Sequence, residues 1–597
     1  EIPEPAPTDL SLQRQMPSGE SSDEVQGMRF LGRSSQLASE EDSSSFEQSS
    51  LSHAERQEFS FGSGELSAAV DCIPLPSKTS GSLAEDADTK RLNVRADGPP
   101  YLYASRHTLS TLPTETEQPA LLSGGLLASA RLESVLGWGM VHDADMYVIR
   151  PSTVEQLQQI FAYARREGRQ VTLRGSGQSY GDASIGRECI LTDLSRMKRI
   201  LSWSPQTGIV DLEPGVRIMD LWRYTLEDGW WPPVVSGTMK TSFGGGLGVN
   251  IHGKNSYKYG TLGEHILELD VLTPDGKMHL CTPQIQPELF YSVIGSGGLL
   301  GVITRIRLRM KRVYSGNLCV HARSTPSLTE MRNVLEANLD QDYLVGWVDT
   351  LARGRQLGRG TLHLARYLNA DEDPTAHATL KQKAQEIPDT VLGVVPKSML
   401  WMGLWMFLHE TGMRWVNRAK FYADQREEQR GCYMQSHAAF NFLLDYVPGW
   451  QRSYRPGGLI QYQTFVPKEV AVQVFEEQLC WSLEAGCPPF LGVFKKHRVD
   501  PFLLSYNVDG YSFALDYPVR KRTERRLQKL LRKMTERVLE KGGRFYLAKD
   551  GILLPEEYKR AMPEQILQKL RTLKRTFDPQ GILVSELARR LELLSKR

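Results

Sequence analysis

The sequence predicts an α+β protein with a long unstructured opening. Three observations carry that expectation. Apolar residues switch along the chain between the two-residue alternation of strands and the three-to-four-residue spacing of helices. Three glycine loops follow strand-like runs, at Gly175–Gly181, Ser236–Gly248 and Gly295–Gly301. Residues 1–125 are dominated by Ser, Glu, Asp, Pro and Gly. A segment of that composition lacks the apolar surface to offset its ordering entropy, so it is expected to be disordered.

Order is expected from residue 126. Met146–Ile149 reads as a short strand that meets Pro151. Ser152 is placed as the N-cap of a helix, with Glu155 completing a capping box. Val154, Leu157, Ile160 and Phe161 recur there at helical spacing. VTLRG follows as a strand and runs into the first glycine loop, an α/β beginning. A helix is expected over Ile218–Leu226, between strands and ahead of the second loop. PELFYSV gives a short helix, then the third loop, then the strand of GVITRIRLRM. From residue 314 the glycine loops thin out, and strands such as YLVGWVDT and GLIQYQTFVP alternate with helices. SMLWMGLWMFLHETGMRWVNRAKFYADQR is apolar on all sides and too short to span a bilayer, so it is either a buried helix or one that touches lipid. GGRFYLAKD and a helical tail, SELARRLELLSKR, close the chain. The divisions drawn from this are 1–125, 126–313, 314–543 and 544–597.

Of 597 residues, 40% are hydrophobic and 24% charged, the balance of an ordinary globular protein. No run of about 18 uncharged apolar residues occurs, which argues against a spanning helix. The seven cysteines (72, 189, 281, 319, 432, 480 and 487) are scattered and never spaced C-x-x-C. They read as small buried hydrophobes in a reducing compartment, with neither a disulfide scaffold nor a metal site. Residues 1–110 carry 18 Asp and Glu against 9 Lys and Arg, a net −9. The whole chain is +2, so the remainder carries +11. A basic body suits an anionic ligand, a phospholipid surface or nucleic acid. No nucleic-acid motif occurs, and basic and aromatic residues do not interleave in a repeated pattern.

Glycine loops after strands expose consecutive backbone N–H groups, and the missing Cβ lets a pyrophosphate approach. None of the three has the G-x-G-x-x-G context of a βαβ dinucleotide site, and no G-x-x-x-x-G-K-[ST] occurs. A large dinucleotide wrapped by several loops fits better.

R-G-S-G-Q-S-Y-G-D from Arg174, V-S-G-T-x-x-T-S-F-G-G-G from Val235, I-H-G-K-N from Ile251 and F-Y-S-V-I-G-S-G-G-L-L-G-V-I from Phe290 resemble the FAD-binding oxidases of the vanillyl-alcohol oxidase and p-cresol methylhydroxylase superfamily. I-Q-Y-Q, F-L-G-V-F-K, L-D-Y-P, G-G-R-F-Y-L-A-K-D and F-D-P-Q-G-I-L-V-S-E-L-A-R-R-L-E-L-L follow in order. Together they resemble the decaprenylphosphoryl-β-D-ribose 2′-oxidase family, over about residues 130–594. The resemblance implies a two-part FAD-binding domain of the p-cresol methylhydroxylase type (126–313, with 544–597 returning to it) and an inserted α+β substrate domain (314–543).

It also implies residue roles. Arg174, Gly175, Ser176, Gly177, Gln178, Ser179, Tyr180 and Gly181 would hold FAD, as would Gly237, Thr238, Ser242, Gly245, Gly248, His252, Ile303 and Tyr546. Lys254, Gln461, Gln463, Lys495 and Ser512 would line the substrate side. Lys549 and His252 would stand nearest the reacting hydroxyl. Oxidising a secondary alcohol needs a hydride acceptor, which the flavin supplies, and a base for the hydroxyl proton. A lysine serves as base when burial or neighbouring cations lower its pKa, and Lys254, Lys495 and Lys549 would do this for one another. At Gln178 many superfamily members carry a His bonded to the flavin. An amide is no nucleophile for that bond, so non-covalent FAD is expected.

The expected reaction is oxidation of polyprenylphosphoryl-β-D-ribose at the 2′ hydroxyl to a keto sugar. It would be the first half of an epimerisation in cell-wall biosynthesis. A short-chain NAD(P)H reductase would be the functional partner, and the expected location is cytoplasmic and peripheral on the membrane. The alternative is an aldonolactone or alditol oxidase on a soluble polyol. Three positions depart from the family. Ser512 stands for an Asn, Ala514 for the Cys that nitroaromatic inhibitors capture, and Asn441 for a Tyr.

Overall fold

The computed structural model describes residues 130–387, 390, 391 and 395–594. The extension expected over 1–125 lies outside them. All described residues belong to one unit, Gly81–Arg597, built around three sheets.

The first sheet has four strands, in the order Arg131–Leu136, Asp143–Ile149, Ile190–Asp193, Val171–Arg174, the last three parallel. The helix Val154–Arg166 connects two of them and buries Leu157, Ile160, Phe161 and Ala164, each fully enclosed. Burial of the three large side chains contributes roughly 1.5–3 kcal/mol apiece. Its N-cap is Thr153, one residue later than the sequence predicts. Thr153 is the last residue with extended backbone, and its Oγ1 accepts the Gln156 amide at 3.3 Å. Ser152 instead donates its own amide and hydroxyl to Gln156 Oε1.

The second sheet is antiparallel, with the order Ile200–Ser204, Ile209–Leu212, Val302–Arg309, Ile266–Leu272, Met278–Cys281. The helices Ile218–Thr225 and Pro287–Val293 bury their apolar sides in its core.

The third sheet has eight antiparallel strands. Their order is Tyr433–Ser436, Asn317–Thr325, Gly360–Tyr367, Tyr343–Val348, Gly492–His497, Gly510–Pro518, Leu459–Pro467 and Arg544–Phe545. Strand alternation assigns its two faces. In Leu459–Pro467, Ile460, Tyr462 and Val466 join the apolar core with Ala471, Val474 and Phe475 of helix Ala471–Glu484, while Gln461 and Gln463 point the other way, into a cavity. Pairing of Asn317–Thr325 with Tyr433–Ser436 sets Cys432 beside Cys319, and the two form a disulfide with Cα atoms 6.0 Å apart. This corrects the reading of all seven cysteines as buried hydrophobes: the partners lie 113 residues apart, a distance that spacing rules do not bridge.

After Arg544–Phe545 the chain returns to the first sheet. Val171 and Leu583 bridge in parallel, Thr172 Oγ1 donates to the Val584 carbonyl at 2.9 Å, and the helix Glu586–Arg590 follows.

The long apolar segment forms two helices, Leu400–Phe407 and Glu410–Gln429, broken at His409. His409 caps the second through Nδ1, which accepts the Gly412 amide at 3.2 Å. A side chain at 412 would meet the Phe407 carbonyl at 2.5 Å, so only glycine fits the break. No residue of Leu400–Phe407 is buried. The buried-helix expectation is corrected: this helix rests by one edge on the turn Trp450–Tyr454, where Ser453 Oγ donates to the Trp401 carbonyl at 2.8 Å. No described helix is long and apolar enough to cross a membrane.

Candidate active site

The glycine loops and the inner face of the eight-stranded sheet enclose one cavity of about 680 Å³, within the ~300–1,000 Å³ usual for ligand sites. Its wall includes Arg174, Gly175, Ser176, Gly177, Gln178, Ser179, Tyr180, Gly237, Thr238, Gly245, Gly248 and Ile303 at the loop end. His252, Lys254, Gln461, Gln463, Lys495, Tyr546 and Lys549 line it too. Three expected residues do not. Gly181 lies behind the first loop, where a Cβ would strike the Asp550 carbonyl at 1.8 Å. Ser242 is buried and clamps two loops together: Ser176 N–H donates to its Oγ at 3.1 Å, and its own N–H donates to Ser176 Oγ at 2.9 Å. Ser512 sits beneath His497, whose Nε2 is 2.9 Å from its Oγ.

The loop end fits an anionic dinucleotide. The amides of Gly177, Gln178 and Ser179 bond to no described residue, an arrangement that favours a bound anion. Gly177 has φ +68°, and a Cβ there would collide with the Arg174 guanidinium at 2.4 Å. A Cβ at Gly248 or Gly297 would meet no atom within 4 Å; both line the cavity, so the room beside them is ligand space. Asp445 fixes the second loop by accepting from Thr238 Oγ1 at 2.9 Å and from the Met239 amide at 2.7 Å. Gln178 donates from Nε2 to the Ser176 carbonyl at 3.0 Å.

Aromatic rings divide the two ends. Tyr180 packs on Trp138 with centroids 4.4 Å apart, and Lys549 Nζ stands 3.5 Å above the Tyr180 ring. Tyr546 lies 5.1 Å from His252 and 4.4 Å from Tyr506.

His252 has both ring nitrogens engaged. Nε2 is 3.0 Å from Gln463 Nε2, and Nδ1 is 3.4 Å from Lys495 Nζ. Burial, then the charges of Lys495, His497 and Lys549, hold it well below the ordinary histidine range, so the ring is neutral. Burial, reinforced by Lys495, pushes Lys254 down to about 7, and burial brings Lys495 to about 8. Lys549 is lowered chiefly by burial, with Asp516 opposing and Lys495 adding to the shift. Asp516 is raised by its own burial; its Oδ1 accepts from Gln461 Nε2 at 2.5 Å, and its Oδ2 has no hydrogen-bond partner among the described residues. Lys549 makes a cation–π contact and, among the described residues, no hydrogen bond, and it lines the cavity.

Among the described residues, seven lysines and arginines line the cavity against one carboxylate, Asp445. Trp347, His363, Lys420 and Asn441 form the end farthest along the sheet. His363, Asp424 and Glu427 place ligand atoms within 4.8 Å of one another. Lys420 Nζ already sits 2.9 and 3.0 Å from the Asp424 oxygens and supplies a cation there. Sequence reasoning missed Trp138, Trp347, His363, Lys420, His497, Tyr506 and Asp516. His363 and Asp516 carried a usable signal: each is a polar residue set in an apolar strand, in GTLHLARY and GYSFALDYP.

Residues 146–282 match a family model described as an FAD binding domain. The chain is 30% identical over 472 residues to decaprenylphosphoryl-β-D-ribose oxidase of Mycolicibacterium smegmatis, covering 77% of this chain and 97% of that protein. It is 29% identical over 167 residues to a putative D-arabinono-1,4-lactone oxidase of Neurospora crassa, covering 28% of this chain and 30% of that one. It is 32% identical over 164 residues to cytokinin dehydrogenase 2 of Arabidopsis thaliana, covering 27% and 32%.

Proposed function

The chain belongs to the decaprenylphosphoryl-β-D-ribose oxidase family of FAD-dependent oxidoreductases, and on that footing we propose that it oxidises the 2′ hydroxyl of a polyprenylphosphoryl-β-D-ribose to a keto sugar. One observation carries the reading. Lys495 and Lys549 act on a neutral His252, and Lys495 acts on Lys254, all three lysines depressed and lining the cavity that the glycine loops enter. A wall with seven cations favours a substrate with a phosphodiester over a neutral polyol or lactone.

Bound FAD supplies the two-electron acceptor. Gly177, Gln178 and Ser179 would present amides to its pyrophosphate, and Gln178, an amide with no nucleophile, would leave the attachment non-covalent. Lys549 takes the hydroxyl proton: it lines the cavity with no hydrogen bond to a described residue, and burial keeps it available as a free amine. His252 cannot share that role while both nitrogens are engaged. It orients Gln463 and Lys495 instead. Lys254 and Lys495 neutralise the phosphate. A separate short-chain NAD(P)H reductase would reduce the keto sugar and complete the epimerisation.

The test is anaerobic addition of polyprenylphosphoryl ribose to the flavin-loaded protein. Bleaching of the visible flavin band is expected. A band that stays yellow with this compound and bleaches with a soluble polyol would overturn the substrate reading.

A further inference from the structure

Cys319, His321 and Cys432 place their ligand atoms within 4.8 Å of one another. None of the three lines the cavity. The large sheet brings them together. Cys319 and His321 are two residues apart in the strand Asn317–Thr325 and so share one face. The strand Tyr433–Ser436 pairs with it antiparallel, with Val320 opposite Tyr433. Continuing that register by one residue sets Cys432 opposite His321, and residues opposite one another point to the same side. His321 Nε2 lies 3.6 Å from Cys319 Sγ. Cys319 is buried, His321 half-buried and Cys432 exposed, so the cluster opens to solvent on the Cys432 side. Among the described residues, no other cysteine joins such a group.

We propose that this cluster is a zinc site whose two thiolates are set free when the disulfide is reduced. The proposal is independent of the oxidase reading. Two thiolates and an imidazole form the mixed S and N set that selects zinc over calcium or magnesium. Reduction by a dithiol breaks the Cys319–Cys432 bond: the two sulfurs gain two electrons and two protons, and the dithiol becomes a disulfide. Zn²⁺ then binds both sulfurs as thiolates, with loss of the two protons, and binds His321 through Nε2. The movement required is small. Zinc–sulfur bonds of ~2.3 Å in a tetrahedron put the two sulfurs ~3.8 Å apart, against ~2.05 Å in a disulfide, and the Cα atoms stand 6.0 Å apart. Solvent water fills the fourth position. Charge permits the ion. Arg323 and Arg366 act on His321, but Arg323 stands 3.6 Å from Glu428 and Arg366 2.6 Å from Glu372. These charges cancel, and zinc with two thiolates is itself neutral.

The place of the site gives it a use. Disulfide and zinc are alternative clasps at one joint, which ties the large sheet to the end of the helix Glu410–Gln429. Lys420 of that helix lines the cavity. The clasp thus holds in oxidising and in reducing surroundings alike.

The experiment reduces the FAD-loaded protein with a phosphine, removes the phosphine by gel filtration under argon, adds zinc sulfate and clears the excess on a second column. Zinc retained per chain is then read by atomic absorption. The reduced parent should retain one zinc that the oxidised parent does not. X-ray absorption at the zinc edge should show two sulfur neighbours at ~2.3 Å and one histidine nitrogen at ~2.0 Å. Cys432→Ser and His321→Asn each remove a ligand and should lower zinc affinity by more than the ~10–100-fold typical of an outer-shell change. Both variants should keep the flavin spectrum, since neither residue lines the cavity; that reading separates ligand loss from misfolding. A disulfide that the phosphine leaves intact, a reduced parent that retains no zinc or no more than Cys432→Ser does, or zinc bound through nitrogen and oxygen alone would overturn the proposal.

Discussion

Lys549 Nζ stands 3.5 Å above the centre of the Tyr180 ring, although the two residues lie 369 positions apart. One comes from the first glycine loop and the other from the segment after the last strand of the large sheet. The contact holds the amine at the junction of the two cavity ends without using its lone pair.

Lys549→Met should therefore lower kcat by about 10²–10⁴-fold, the usual worth of a positioned base, with the flavin spectrum retained. Lys549→Arg should not rescue, because a guanidinium does not release its proton. In the parent protein the base must be unprotonated. Activity should rise as pH increases through the lowered lysine value and fall below it, with a midpoint well under that of free lysine. A rate–pH profile flat through the neutral range would contradict this.

Gln178 offers an amide where a covalent link would need a nucleophile. Acid precipitation of the loaded protein should leave yellow flavin in the supernatant. Colour retained in the washed pellet would show a covalent bond.

Arg590 pairs with both Asp182 and Asp550, at 2.8 and 2.9 Å, with all three side chains nearly excluded from solvent. Arg590→Met strands two buried carboxylates and should cost about 3–5 kcal/mol, read by urea unfolding. Burial alone would raise Asp182, but Arg590 outweighs it and the net shift is downward. A depressed acid stabilises the fold above its unfolded pKa and loses that contribution as pH falls through the folded value. The parent should thus lose stability at pH values below the ordinary aspartate range, and Arg590→Met should lose little further there.

Ala514 lines the cavity, and the resemblance sets it where a cysteine is expected in the family. Nitroaromatic inhibitors that act by capturing that thiol should leave no adduct on the parent chain. Ala514→Cys should gain one adduct by mass spectrometry. An adduct on the parent would mean that another nucleophile takes over.

The loops were legible in the sequence because glycine is demanded by geometry: Gly177 by its positive φ, Gly175 by the Ser242 hydroxyl 2.3 Å from where a Cβ would stand. The lysines were legible only as a set ordered by resemblance, since a lone lysine in a sequence is indistinguishable from a surface charge. Ser512 shows the limit of the method. Its strand faces the right way, yet His497 from the neighbouring strand covers it, and no local pattern announces which of two side chains lies on top. Thr153 replaced Ser152 as a cap for a similar reason: both can cap, and the backbone conformation decided.

The bridge between Val171 and Leu583 and the Arg590–Asp182 pair carry a consequence for biosynthesis. A ribosome delivers the N-terminal portion first. Residues 171–182 must wait for residues 583–590 before their strand is flanked on that side and their carboxylate neutralised. Cofactor capture is therefore expected only after residues 583–590 have been made, and a chain cut short before residue 583 would lack the support for its first glycine loop.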